Sequence, residues 1–264
     1  REASYKMRTL NKQEIMDILI GCTILGTGGG GALKEGIEAV ERELAAGKEF
    51  KLLDFSEIRD DGYYTNPYLC GTVVPDDQMV ELSGQELPDA IRALESYMKV
   101  EFHGLLSIEY GGGNTGVAMA AAAHMGKYMV DADAAGRAVP ELQFSTYYIR
   151  EQPIAPFSVS TIYGDAVIVQ KVADDARAEA LSRFMAVGSG GLVGMADHPI
   201  RGDRLRTSVI PNALSYAEQV GRARRLACES GGDPIQAILG AGGGQLLYQG
   251  TVTPDTHWEI KDGF

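Results

Sequence analysis

One stretch, residues 105–133, constrains the fold more than any other. Leu105 to Ile108 is a short apolar strand that closes on Glu109. Gly111-Gly112-Gly113-Asn114 then opens an alanine-rich helix from Val117 to Met125, and Tyr128 to Val130 is a second strand running into Asp131-Ala132-Asp133. Two strands joined through a helix pair in parallel, because a parallel pair needs a crossover of this kind. The alternation continues along the chain. Asn11 and Glu14 form a capping box ahead of a helix with Ile15, Ile18, Leu19 and Cys22 on one stripe. Leu33, Ile37, Val40 and Leu44 repeat at helical spacing until Gly47. Phe50 to Phe55, Tyr68 to Val74 and Ala166 to Val172 read as strands; Pro88 to Met98, Asp174 to Ala186 and Asn212 to Glu229 read as helices. The pattern predicts an α/β fold over residues 8–244, a three-layer αβα sandwich with a mainly parallel sheet. Residues 245–264 read as strand, turn and strand, the first strands of a C-terminal β-rich domain whose remainder is absent.

Composition narrows the partners. Apolar residues make up 45% and charged residues 23%, the balance of an ordinary globular domain rather than a disordered chain. Lys plus Arg number 24 against 36 Asp plus Glu, a net charge of −12. That balance argues against nucleic acid and against an anionic membrane surface, and toward small molecules or other proteins. No apolar run reaches the roughly 18 residues of a spanning helix. The cysteines Cys22, Cys70 and Cys228 are odd in number and far apart, which fits a reducing compartment. With no apolar leader after the polar first residues, the expectation is a cytoplasmic protein. Homo-oligomer formation is left open.

Glycine is the unusual count, 33 residues, clustered at 26–31, 111–113, 188–194 and 240–244. The first cluster satisfies G-x-G-x-x-G through Gly26, Gly28 and Gly31, and Asp54 stands where a ribose-binding acid would. A dinucleotide fingerprint needs a strand before its glycines, however, and here a capped helical pattern precedes them. A nicotinamide cofactor is therefore not expected. Two other readings stay open: a structural turn, or a loop whose backbone N–H groups at Thr27, Gly28, Gly29 and Gly30 hold an anionic or carbonyl-bearing ligand.

A second constellation lies at the ends of two strands, where ligands of open α/β sheets bind. Glu109 closes one strand. Asp131 and Asp133 close the other and project to one side if the backbone stays extended. Arg137 and Glu141 follow. Two close carboxylates need a cation, either Arg137 or a divalent metal of unknown identity. The competing reading is a solvated salt-bridge loop. Among the histidines, Asp197-His198 with Asp203 suggests an imidazole oriented by carboxylates. Ser189 lacks the context of a nucleophile elbow.

The runs LGTGGGG at 25–31, IEYGGGN at 108–114 and DADAAGRAVPELQ at 131–143 resemble, in order and spacing, the family named for the S-methyl thiohydantoin desulfurase N-terminal domain. The resemblance extends over nearly the whole chain from about residue 8. Ala134-Ala135 departs from the family's usual glycine-methionine pair, and the segment from Asp197 to Arg206 is this chain's own. The resemblance implies an αβα domain followed by a smaller β-rich domain. It also implies hydrolytic cleavage of a C–S bond on a thiohydantoin ring, releasing a thiol and leaving a hydantoin. On that footing the expected enzyme is a hydrolase of a cyclic, imide-like heterocycle. Its base would be one of Glu109, Asp131, Asp133 and Glu141. Ligand-holding groups would come from Thr27, Gly28, Gly29, Gly30, Gly112, Gly113, Asn114 and Arg137. Two alternatives remain: a non-catalytic subunit of a hydantoinase-type complex, and a Rossmann-type oxidoreductase.

Overall fold

Asn11 caps the first helix as its sequence predicts. Its side chain accepts the Glu14 N–H (3.0 Å), and the Glu14 carboxylate accepts the Asn11 N–H (2.7 Å), so two otherwise unpaired donors are satisfied. The structure is a computed structural model and describes residues 7–71 and 81–253. The strands are β1 (Met7–Leu10), β2 (Phe50–Leu53), β3 (Tyr63–Gly71), β4 (Phe102–Ser107) and β5 (Tyr128–Asp133). They continue with β6 (Phe157–Ser160), β7 (Ala166–Val169), β8 (Leu192–Arg201) and β9 (Ile210–Pro211). The helices are α1 (Lys12–Gly26), α2 (Leu33–Ala45), α3 (Glu86–Met98), α4 (Gly112–His124) and α5 (Thr146–Ile149). They are completed by α6 (Asp175–Val187), α7 (Gly202–Ser208), α8 (Ala213–Ser230) and α9 (Pro234–Gly242).

The strands form one sheet in the order β1-β2-β5-β4-β3-β8-β6-β7, with β9 on β5. Its centre is the expected parallel run, β2, β5, β4 and β3. Antiparallel pairings extend it, β1 at one edge and β8, β6 and β7 at the other. Apolar residues of both strand faces are buried, giving two cores. One holds Ile15, Ile18, Leu19, Val40, Ile91, Leu94 and Leu214 of α1, α2, α3 and α8 over Phe50, Leu52 and Met129. The other packs Ala178 and Ala186 of α6 and Leu205 of α7 over Leu53, Val130, Val159 and Met195. Helices thus cover both faces, the expected sandwich.

The structure differs from the sequence reading in several places. The ten residues of β8 were not anticipated, because Asp197, His198 and Pro199 interrupt the alternation expected of a strand. As the capped helical pattern predicts, the first glycine cluster follows helix α1 and lacks the strand a dinucleotide fingerprint requires, while Asp54 accepts the Ser56 N–H at the start of a 3-10 turn (2.9 Å). Residues 245–253 form no strand and are exposed, so the hairpin expected from 245 is not formed there; its later part, 254–264, lies outside the described residues, as do 72–74 of the expected strand ending at Val74. No helix among the described residues is long and apolar enough to cross a membrane.

Candidate active site

The carboxyl ends of β3 and β4 and the loop after β5 meet the first glycine loop and α6 around a two-part cleft. The wider part, about 530 Å³, is lined by Thr27, Gly29, Gly30, Gly71, Glu109, Val139, Pro140 and Arg183, among others. The narrower part, about 110 Å³, continues past Glu109 to Tyr68, Cys70, Asn114, Glu141, Ser145 and Glu179. This is where the strand-end rule for open α/β sheets puts a ligand.

Glu109 sits at the junction. One carboxylate oxygen accepts the Val139 N–H and the other the Asn114 side-chain amide, each at 2.8 Å. Burial pushes its pKa up, against the pull of those two donors. A carboxylate so placed is a stronger base than an exposed one, and it is pinned in one orientation. Arg183 stands across the cleft. Its Nε donates to Glu179, and its Nη1 and Nη2 donate to the Gly71 and Pro140 carbonyls (3.2 Å each). Glu179 also accepts the Leu142 N–H (3.3 Å), which ties α6 to the segment ahead of α5. Cys70 is no nucleophile here: burial pushes its thiol up to about 12, so it stays protonated at neutral pH.

The expected residues do not all converge. Thr27, Gly29, Gly30, Glu109, Asn114 and Glu141 line the cleft, Glu141 exposed at its mouth. Asp131 and Asp133 do project to the same side of β5, but neither lines it. Asp131 accepts the Leu214 and Ser215 N–H groups and the Ser215 hydroxyl, so it caps the start of α8. Asp133 is fully buried, its Oδ1 accepting the Ala135 and Gly136 N–H groups (2.7 and 2.6 Å) and its Oδ2 left without a partner. Burial carries its pKa up to about 6 despite those two hydrogen bonds, with the charge of Glu109 adding to the rise. Arg137 is exposed and donates to the Ala138 carbonyl, so it balances neither aspartate. The cation of the cleft is Arg183 instead.

The two glycine clusters bind each other. Gly113 N–H donates to the Gly31 carbonyl (3.3 Å) and Asn114 N–H to the Gly30 carbonyl (2.9 Å), so these α4 donors are spent on backbone rather than ligand. The approach is close enough that a Cβ on Gly30, at φ +77°, would lie 2.3 Å from the Tyr110 carbonyl oxygen. Gly112 and Gly113 are therefore packing positions, as is Gly31. Gly28 and Gly30 carry positive φ, and their N–H groups make no backbone hydrogen bond among the described residues. Among the described residues no group of three His, Cys, Asp or Glu side chains is arranged to hold a metal.

Behind the cleft wall lies a buried ionic cluster. His198 Nδ1 is 3.0 Å from Asp197 Oδ1, and Nε2 is 3.7 Å from Asp175 Oδ2. The imidazole stacks on Tyr147 at 4.4 Å, and Asp197 accepts the Tyr68 hydroxyl (2.8 Å). The second carboxylate is Asp175, not Asp203, which pairs with Arg201 at the surface (3.6 Å). Sequence reasoning passed over Arg183, Glu179 and Tyr68. The signal was there for the first two: Asp175, Glu179 and Arg183 recur every fourth residue and share one face of α6.

Fold and cleft together define an αβα protein with a cleft at the strand ends. Residues 13–171 match the family described as S-Me-THD-like, N-terminal domain, and residues 173–264 match the S-Me-THD-like, C-terminal domain. The chain belongs to the S-Me-THD-like family. The second match begins at 173, so the chain carries more of the C-terminal domain than the first strands expected from 245. A crystal structure of a protein from Chromobacterium violaceum is similar at 25% identity and a TM-score of 0.70. The alignment covers 88% of this chain and 65% of that one, so this chain spans about two thirds of its length. Comparison with curated proteins finds no match.

Proposed function

We propose that this protein is a hydrolase of a cyclic, imide-like heterocycle, cleaving the C–S bond of an S-methyl thiohydantoin or carrying out related hydantoin chemistry. The family name supports the substrate class. The observation that carries the reading is Glu109, a buried carboxylate with a raised pKa, pinned by two donors between the glycine loop and Arg183. Glu109 takes a proton from water as the oxygen adds to the ring carbon bearing sulfur. Negative charge then gathers on the ring nitrogen, beside Gly30 and Arg183, which line the cleft. As the tetrahedral adduct collapses, its hydroxyl proton passes to the ring nitrogen, the carbonyl forms and the C–S bond breaks. The departing sulfur takes the proton back from Glu109, so water and S-methyl thiohydantoin give hydantoin and methanethiol. No nicotinamide takes part in this scheme.

The test is methanethiol release, read with a thiol-reactive chromophore. Glu109→Gln keeps the shape and one acceptor, and is expected to lower kcat by about 100-fold or more without changing the urea midpoint. Wild-type turnover in Glu109→Gln overturns the assignment of the base. Retention of the ring without turnover in the wild type favours a binding subunit instead.

A further inference from the structure

The cleft wall opposite the glycine loop is built from three pieces: β3 with Tyr68 and Gly71, α6 with Glu179 and Arg183, and the segment ahead of α5 with Leu142 and Ser145. All three meet at one buried side chain, His198 of β8. Tyr68 reaches it through Asp197, α6 through Asp175 in its first turn, and α5 through the stacked ring of Tyr147. The ring nitrogens lie 3.0 Å from an Asp197 oxygen and 3.7 Å from an Asp175 oxygen, as ion-pair contacts without hydrogen-bond geometry. Two carboxylates beside one buried ring favour its protonated form by charge.

The backbone is shaped for this contact. The β3–β8 register pairs Tyr64 with Ile200 and Asn66 with Asp197, so Thr65 faces a bulge at 198 and 199. His198 itself has φ +41°, a left-handed conformation rare outside glycine and costly inside a strand. The bulge is held by the Thr65 hydroxyl on the Asp197 carbonyl (2.6 Å) and by the His198 N–H on the Ile154 carbonyl (3.2 Å). A regular strand would send residues 197 and 198 to opposite faces. The bulge brings both side chains into one cluster.

From this geometry we infer that His198 is a positioning residue, clamping Asp175 so that α6 presents Glu179 and Arg183 to the cleft. The spacing carries the effect: Asp175 at the start of the helix is held, and Glu179 and Arg183 follow one and two turns later on the same face. Arg183 does not touch His198, so its placement depends on the helix as a rigid strut. The kinetic consequence rests on the hydrolase reading; the clamp itself does not.

Two variants test it, His198→Gln and Asp175→Asn, the second leaving the Asp197–His198 pair intact should the first fail to fold. In the full chain, amide exchange across 175–187 is expected to quicken by about tenfold or more while 213–230 in α8 stays as in the wild type. With an S-methyl thiohydantoin, KM is expected to rise roughly tenfold with kcat little changed, and Asp175→Glu to restore it. Wild-type exchange over α6 in Asp175→Asn, or equal change in α6 and α8, overturns the clamp. If the wild-type protein releases no thiol at all, the hydrolase reading falls while the exchange comparison still decides the clamp.

Discussion

Raising the pH should strip His198 of its proton and weaken the fold over a defined window. Burial alone would depress this imidazole, but Asp197 and Asp175 outweigh it and carry the pKa up to about 9, from 6.5. A folded pKa above the unfolded one means the folded state holds the proton more tightly. The stabilisation is then complete below about pH 6.5 and is lost as pH climbs through 9. At about 1.4 kcal/mol per pH unit the ion cluster is worth roughly 3 kcal/mol, a large share of the total stability of most domains. The assay is urea unfolding followed by far-UV circular dichroism at pH 6, 7.5 and 9, since the single Trp258 lies outside the described residues. Buried Cys22 and Cys70 also lose stabilisation at high pH, so the control is His198→Gln, which keeps both thiols. The wild type should lose about 3 kcal/mol more than the variant between pH 6 and pH 9. Parallel losses would show that His198 is not the charged centre of the cluster.

Two further substitutions separate packing from chemistry. Gly30→Ala places a methyl group against the Tyr110 carbonyl and Gly111, backbone that cannot swing aside, and should cost about 3 kcal/mol in a urea titration. Gly28→Ala, with nothing within 4 Å, should cost only about 1 kcal/mol for its backbone conformation; equal losses would refute the close approach of the two glycine clusters. Asp133→Asn keeps the acceptor for Ala135 and Gly136 and removes a buried charge. It should stabilise the protein by up to about 3 kcal/mol at pH 8 and by almost nothing near pH 3.5, because the wild-type group ionises only above about 6. Turnover lost together with stability gained would make Asp133 a reactive group rather than a buried support.

Much of the scaffold was legible from periodicity, because α1, α2, α4 and the parallel strands are locally consistent: caps, stripes and apolar runs agree. Glu109 and Asn114 were legible as well, since strand ends carry ligands in such sheets. What escaped is non-local. Asp131 looks reactive in sequence, yet its partners Leu214 and Ser215 lie more than eighty residues away and turn it into a helix cap. Arg137 is the near cation in sequence, but Arg183 is the near one in space, brought there by α6 crossing the sheet. Glycine-rich loops advertise backbone donors, and no local pattern says that the second loop spends its donors on the carbonyls of the first. The strand β8 was hidden by the polar residues that form the ionic cluster.

The place of β8 bears on how the chain is made. β6 and β7, from the N-terminal family segment, touch the rest of the sheet only through β8, which belongs to the C-terminal segment and lies between β3 and β6. As the chain leaves the ribosome, the β6–β7 hairpin has no strand to join until residue 201 has emerged. Until then β3 offers an open, apolar edge to any neighbouring chain. Strand β8, made after both of its neighbours, therefore closes the gap by long-range pairing, which is slow and exposed to aggregation. Synthesis of residues 13–171 alone should yield insoluble protein, and co-expressed 173–264 should rescue it by inserting one strand.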